Sequence, residues 1–339
     1  VVPMLSSLRT PSRPFVGLAG LLVCAFAAIA PATQAATPRV HAITHARIVT
    51  APGQVIERGN IVMRDGIIVA VGANAAIPAD ARIWPGDSLT VYAGMIDAFV
   101  VQTAPVAPTA GGRGPGGGGP RPPVTDSSDP ARGAAASLGS VRAEHRVIEN
   151  AALSAEQLTA LRSAGFAAAQ VAPRQGIVRG TSAVVGLGDG RLNGNTYRSD
   201  ASQVIALDPQ ANTYPGSLMG AIAVIRQSLI DAKWYRDANA ASAKALSAER
   251  PETNVSWAAL QPVIGGQQNA LFVADEMLEV LRASAIAKEA GVTAQVVGNG
   301  DEYKRVKAIA ATGLPLIVPV NFLDAPDVSN ADNSLEVTT

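Results

Sequence analysis

Between Val40 and Val91 apolar and polar residues alternate with a period of two. "AITHARIVT" reads as one strand and "NIVMRDGIIVAVG" as a hairpin turning at Asp65-Gly66, while "ADARIWPGDSLTVY" adds short strands. An Asp-Gly pair between β-branched runs is a strong short-range hairpin signal. From about Ser140 the period changes. "RAEHRVIENAALSAEQLTALRSAG" predicts a helix broken near Ala152, "FAAAQVAP" a short buried strand, and "GIVRGTSAVVGLGDG" a strand pair with a Gly-rich turn. The plainest helix is "SLMGAIAVIRQSLIDAKWYRDANAASAKAL", where Ser217 supplies a cap and Leu218, Ile222, Ile225 and Leu229 share one face. Then "NALFVAD", "VTAQVVGNG" and "LPLIVPVNF" predict strands separated by the helices "EMLEVLRASAIAKEAG" and "EYKRVKAIAATG".

Short apolar strands alternating with amphipathic helices imply parallel pairing through right-handed crossovers. About five such strands are expected, counting "LTVYAGMIDAFV" as the first. The pattern divides the chain into an N-terminal all-β, sandwich-like domain over 36–90, a first strand over 91–102 and a βα region over 136–339. Thr103 to Ala135 is rich in Gly, Pro and Arg and has too little apolar content to offset the entropy of ordering, so a disordered insertion is expected there.

The first 35 residues read as an export signal. Arg9 and Arg13 form a basic start, Phe15 to Ala30 is an apolar run short for a bilayer span, and Thr33 and Ala35 suit cleavage after Ala35. A periplasmic or secreted protein follows. Cys24, the single cysteine, lies inside this run, so no disulfide or Cys-metal site is expected in the mature chain. Lys+Arg 27 against Asp+Glu 27 leaves no electrostatic footprint for nucleic acid.

A β-unit that runs into "AGMID" and then into βα repeats resembles the amidohydrolase superfamily, close to its imidazolonepropionase-like branch. The resemblance is carried by "NIVMRDGIIVAVG", "IPADARI" and "LTVYAGMIDAFV". "PRQGIVRGTSAVVGLGDG" and "YPGSLMGAIAVIRQSLIDAKWYRDA" look like stretches of a large exported subgroup. It spans about Val40 to Phe322. It implies a (β/α)8 barrel behind an N-terminal β-domain, a divalent metal such as zinc, and hydrolysis of carbon–nitrogen bonds in cyclic or acyl amides. In active relatives the first barrel strand ends Ala-His-x-His and both His bind metal. Here Gly94, Ile96, Asp97 and Ala98 match, but the two His positions fall on Phe99 and Val101, which have no lone pair to donate. A later ligand His falls on Val297 or Gly298. The family's last Asp lies on an eighth strand, so the resemblance implies a barrel truncated at its C-terminus. No cofactor is therefore expected to bind.

Three histidines remain. His41 and His45 fall in one predicted strand, roughly 13 Å apart at about 3.3 Å per residue, too far to share an ion. His145 sits among Arg142, Glu144 and Arg146 and reads as a solvated helix residue. No Gly-x-Ser-x-Gly elbow is present, and "GGRGPGGGGP" lacks the Gly-Lys-Ser/Thr of a phosphate loop. "GLGDG" at Gly186–Gly190 reads as a hairpin turn. Asp97, Asp275 and the Asp301-Glu302 pair fall near predicted strand ends, where barrel enzymes build their sites. Asp97 is the catalytic candidate, as a general base. The bland alternative has it bonding the rim while the other three cap helices. Two classes stay open. One is a hydrolase acting on non-peptide carbon–nitrogen bonds. The other is a non-catalytic exported protein that binds an amide-type small molecule or pairs with an active paralogue. The apolar last strand "LPLIVPV" would leave an unpaired edge, so a homo-oligomer or a partner is expected.

Overall fold

The computed structural model describes residues 39–103, 138–209, 214–244 and 249–320. The expected signal segment and all but Thr103 of the expected Gly/Pro-rich insertion through Ala135 lie outside the described residues, as do Asn321 and Phe322 of the last predicted strand. Among the described residues no helix is long and apolar enough to cross a membrane. The chain forms two compact units that meet in sequence at Ala93 and Gly94.

The first unit is all β. Strands β1 (Val40–Ala51), β2 (Gln54–Arg64), β3 (Ile67–Gly72), β4 (Arg82–Pro85) and β5 (Thr90–Tyr92) make one five-stranded sheet. The β2–β3 hairpin turns at Asp65 and Gly66 with φ of 53° and 79°, the pair of left-handed residues that such a turn requires. β1 pairs antiparallel with β2. On its other edge it pairs parallel with β4 through its first half and with β5 through its second. A bulge at His45, with φ of 59°, shifts the register between Ile43 and Ala46. The buried side chains of β1 therefore divide into two small clusters, Val40 and Ala42 with Val62, and Ala46 and Ile48 with Ile61. The residues Thr90–Tyr92, expected to open the first barrel strand, belong to this sheet instead.

The second unit begins with β6 (Met95–Val101). One sheet pairs it parallel with β7 (Phe166–Ala172), followed by β9 (Ala183–Gly186) and β10 (Thr196–Arg198), both antiparallel. A second sheet runs β8 (Val178–Thr181), β11 (Ser202–Ala206), β12 (Asn269–Val273), β13 (Ala294–Val297) and β14 (Leu316–Ile317), parallel except for β8. "GIVRGTSAVVG" is therefore not a strand pair. β8 and β9 are successive halves of one extended segment joined at Ser182, the first half paired to β11 and the second to β7. Ser182 stitches the junction, exchanging backbone bonds with Ala201 and Ser202 while its Oγ accepts from Gln170 Nε2 at 2.9 Å. The turn at Gly186–Gly190 leads from β9 towards β10, as a hairpin should.

Six described strands of the second unit run parallel rather than about five, because "SQVIA" of β11 carries too few residues to show a period. All five of its residues are buried. The helix expected over "RAEHRVIEN" is also absent. Only a 3₁₀ turn, Val147–Asn150, forms before α1 (Ala155–Ser163), which starts in a capping box between Ser154 and Gln157. Val141 and Arg146 instead make parallel bridges to Val178 and Thr181, so the segment runs beside the sheet with a turn at Ala143 and Glu144 between the two bridges. His145 is in a turn, not on a solvated helix. Burial holds its imidazole below the usual histidine range, with Arg142 acting in the same direction.

The helices α2 (Leu218–Lys244), α3 (Val255–Ala259), α4 (Gln261–Ile264), α5 (Met277–Ala290) and α6 (Val306–Ala310) complete the unit. Ser217 Oγ accepts from the Gly220 N–H at 3.2 Å, as a cap for α2 should. α5 ends at Gly291 in the left-handed conformation. Side-chain alternation along β11–β13 separates two cores. Ile205, Ala270, Phe272 and Val296 face the helix layer with Ile225, Leu229, Val280 and Ile286. The opposite face is smaller: Ala172, Val204, Leu271 and Val297 pack with Phe99, Val273 and Ile317. Side chains from β6, β7 and β11–β14 meet in that one cluster, so the two sheets curve round a shared inner face. Burying a Leu or Phe side chain stabilises by about 1.5–3 kcal/mol, which makes this inner face a structural element in its own right.

Candidate functional site

In parallel α/β folds the carboxyl ends of the strands are where ligands bind. In the second unit those ends carry two kinds of side chain. On β6 the register slips by one residue between Asp97 and Val100, so Asp97, opposite Ala169, does not share a face with Phe99 by simple alternation. Asp97 lies mid-strand, four residues short of the end, and its Oδ1 accepts from the Phe99 N–H at 3.0 Å. Phe99 joins the apolar inner cluster with Leu271 and Val297. The next residue along, Gln102, has a buried Oε1 with no hydrogen-bond partner among the described residues.

β13 ends beside Gly298. A Cβ there would run into the Glu302 carboxylate, whose two oxygens accept from the N–H groups of Asn299 and Gly300, each at 2.9 Å. Glu302 is 7% exposed. It closes the turn that leads into the 3₁₀ segment Asp301–Arg305, and no side chain can stand at position 298 without displacing it. Asp301 pairs with Lys304 at 3.2 Å on the surface.

The ends of β8, β11 and β12 are charged. β8 carries a bulge: Val178 opposes Ile205 and Gly180 opposes Val204, which leaves Arg179 as the extra residue. Its side chain is 9% exposed, its Nε donates to Gly176 O at 3.2 Å, and its guanidinium lies 3.5 Å from Asp208 Oδ2. Burial pulls the guanidinium below its usual range while Asp208 and Asp275 push it back up. Asp275 follows β12. Its backbone N–H donates to Glu279 Oε2 at 2.8 Å and its carbonyl accepts from Asn299 Nδ2 at 2.5 Å. Glu279 is 5% exposed, and burial, helped by the nearby Asp275 charge, raises its carboxyl above the usual glutamate range. The expected capping of α5 by Asp275 does not occur. The N-cap position is Glu276, and the Glu279 side chain reaches back to the Asp275 N–H.

The sequence-predicted residues are thus divided. Asp275 and Glu302 come to neighbouring strand ends through Asn299, while Asp97 is set back in β6. His41 accepts from Trp84 Nε1 at 3.2 Å and His45 lies 3.8 Å from Asp87 in the first unit. Arg179, Asp208, Glu279 and Asn299 were not singled out by sequence reasoning. Arg179 was visible as the one charge in the run "GIVRG", and Glu279 as a carboxylate on the apolar face of its helix with Val280 and Ala283.

A divalent metal needs converging His, carboxylate or comparable donors at about 2.0–2.2 Å. The positions that would supply them do not fit. Phe99 and Val101 offer no donor, and the space beside Gly298 is filled by a carboxylate already bonded to two N–H groups. Among the described residues no three His, Cys, Asp or Glu side chains are grouped as a metal would need.

No family model and no curated protein matches the chain. Solved structures do. An amidohydrolase from Thermotoga maritima MSB8 superposes with a TM-score of 0.62 at 18% identity, over 82% of this chain and 70% of that one. An N-acyl-D-glutamate deacylase from Bordetella bronchiseptica, solved with zinc and a phosphonate inhibitor, aligns over 82% of this chain and 57% of its own at 15% identity and a TM-score of 0.31. The first of these shows that the chain shares its fold with an amidohydrolase.

Proposed function

We propose that this chain is an amidohydrolase-superfamily protein that binds an amide-type small molecule at its strand ends without metal-assisted hydrolysis. In this reading the curved sheet is part of a (β/α)8 barrel, of the imidazolonepropionase-like branch suggested by the "AGMID" region. The observation that carries the functional half is Phe99, packed among Leu271, Val297 and Ile317 where the resemblance would place the first metal-binding His. What remains at the strand ends is suited to holding a polar ligand. Arg179 offers a guanidinium and Asn299 an amide, beside the carboxylates of Asp208 and Asp275. Export follows from the basic start and short apolar run of residues 9–35, and a partner or second copy covering the β14 edge belongs to the same proposal.

A second reading is hydrolysis of a carbon–nitrogen bond by carboxylates alone. It is favoured by the raised carboxyl of Glu279 beside Asp275, the kind of pairing that separates an acid from a base. One experiment separates the two. The purified chain is titrated with acyl-amino acids and cyclic amides by calorimetry, and turnover is followed in parallel with and without chelator. Binding with no turnover supports the first reading. Chelator-insensitive turnover lost in Asp275→Asn supports the second. Chelator-sensitive turnover removes both.

A further inference from the structure

We propose that a cavity against the middle of α2 is a binding site for a small organic cation, an ammonium group carried on an apolar body. This cavity lies outside the strand-end site, and the inference does not rest on the function proposed above. Its volume is about 450 Å³, within the range of small-molecule sites. Leu138, Val141 and Val224 supply apolar wall, and Tyr214 and Trp257 supply aromatic surface.

The polar lining is one-sided. Asp231 is the single lining residue charged at neutral pH. It is half-buried, takes one hydrogen bond from Gln227 Nε2 at 2.7 Å, and forms no ion pair among the described residues. No Lys or Arg lines the cavity. Three buried polar residues line it, Ser228, Asn254 and Ser256, none of them charged; Asn254 Oδ1 accepts from the Trp257 N–H at 3.0 Å, capping α3, and Ser256 Oγ is bonded to the Glu144 carboxylate. An anion would find no cationic partner and would meet the Asp231 charge. A cation would find a carboxylate and ring faces, the combination that recognises ammonium groups.

The aromatic wall is fixed in advance. Trp257 is held edge-on by Trp234, with ring centroids 6.0 Å apart, and tilted against Tyr235 at 5.9 Å. With its backbone tied to Asn254, the ring loses little freedom when a ligand arrives, so less of the interaction is spent on ordering.

The test compares choline with 3,3-dimethylbutan-1-ol, which has the same shape without the charge, by calorimetry on the full chain. Choline should bind with a Kd of about 1 mM or tighter, and the neutral alcohol at least about tenfold more weakly. Asp231→Asn keeps the shape and the Gln227 contact; it should weaken choline by about tenfold and leave the alcohol unchanged. Ala223→Trp, at an exposed position of the lining, should fill the cavity and abolish binding of both. Equal binding of the two probes, choline binding unaffected by either variant, or no choline binding at about 10 mM would overturn the proposal.

Discussion

The strand-end face has two sides of opposite character. On the β6 and β13 side, Phe99 and Val297 pack as core and Glu302 fills the space at Gly298. On the β8, β11 and β12 side, buried Arg179 and Glu279 stand beside half-buried Asp208 and exposed Asp275. The strand ends are closed by packing along one arc and left polar along the other. Fold and chemistry are therefore separate questions in this chain: the end of β6 carries apolar side chains, and Phe99 is at home in the inner cluster. A shared fold licenses a statement about architecture; the donors themselves must license the chemistry.

The largest effect should come from placing a donor on the closed arc. Gly298→His must eject Glu302 from its two N–H partners, and unsatisfied buried donors cost about 1–3 kcal/mol each, so a loss of about 3 kcal/mol is expected in urea unfolding. Stability within about 0.5 kcal/mol of the parent would show that the arc is open. Phe99→His comes next. It trades ring packing for an imidazole without a partner and should cost about 2 kcal/mol. Combined with Val101→His it should still take up no zinc, because among the described residues no group of three His, Cys, Asp or Glu side chains could hold a metal.

The charged arc answers to pH. Glu279 has its carboxyl raised by burial, so between the ordinary glutamate range and that raised value the folded state holds more proton than the unfolded. Stability should therefore fall as pH rises through that window, and Glu279→Gln should flatten the slope in denaturation curves taken across it. An unchanged slope would mean that the carboxyl is solvated. The smallest effect belongs to an ordinary surface pair used as a control. Arg146 and Asp200 meet through two bonds of 2.8 and 2.7 Å, and the Arg146 bond lowers the Asp200 carboxyl. That stabilisation is present above the usual aspartate range and is lost as pH falls through the lowered value. Both side chains are more than a third exposed, so solvent screening limits Asp200→Asn to about 0.5 kcal/mol at neutral pH.

Periodicity made the larger elements legible. The Asp65-Gly66 hairpin, the cap at Ser217 and the long amphipathic α2 each carry a local signal strong enough to survive in isolation. β11 was missed because five buried residues show no alternation. "RAEHRVIEN" misled because its helical composition is overridden by parallel bridges to β8, a contact between residues some 35 positions apart that no local pattern encodes. At the strand ends, the apolar residues Phe99 and Val101 could be read directly. The role of Arg179 could not be read, although its lone charge stood out in "GIVRG", because it depends on a bulge set by register against β11. Nor could the closed space at Gly298, since glycine announces close approach only once its neighbour Glu302 is known.

Zinc titration of the purified chain by calorimetry, with elemental analysis of the dialysed protein, tests the closed arc most directly. No stoichiometric zinc should be retained, and hydrolysis of acyl-dipeptides or cyclic amides should not respond to zinc or to chelator. One or more equivalents of tightly held zinc, with amide hydrolysis abolished by chelator and weakened by Asp97→Asn, would contradict the account and place metal-assisted hydrolysis at these strand ends.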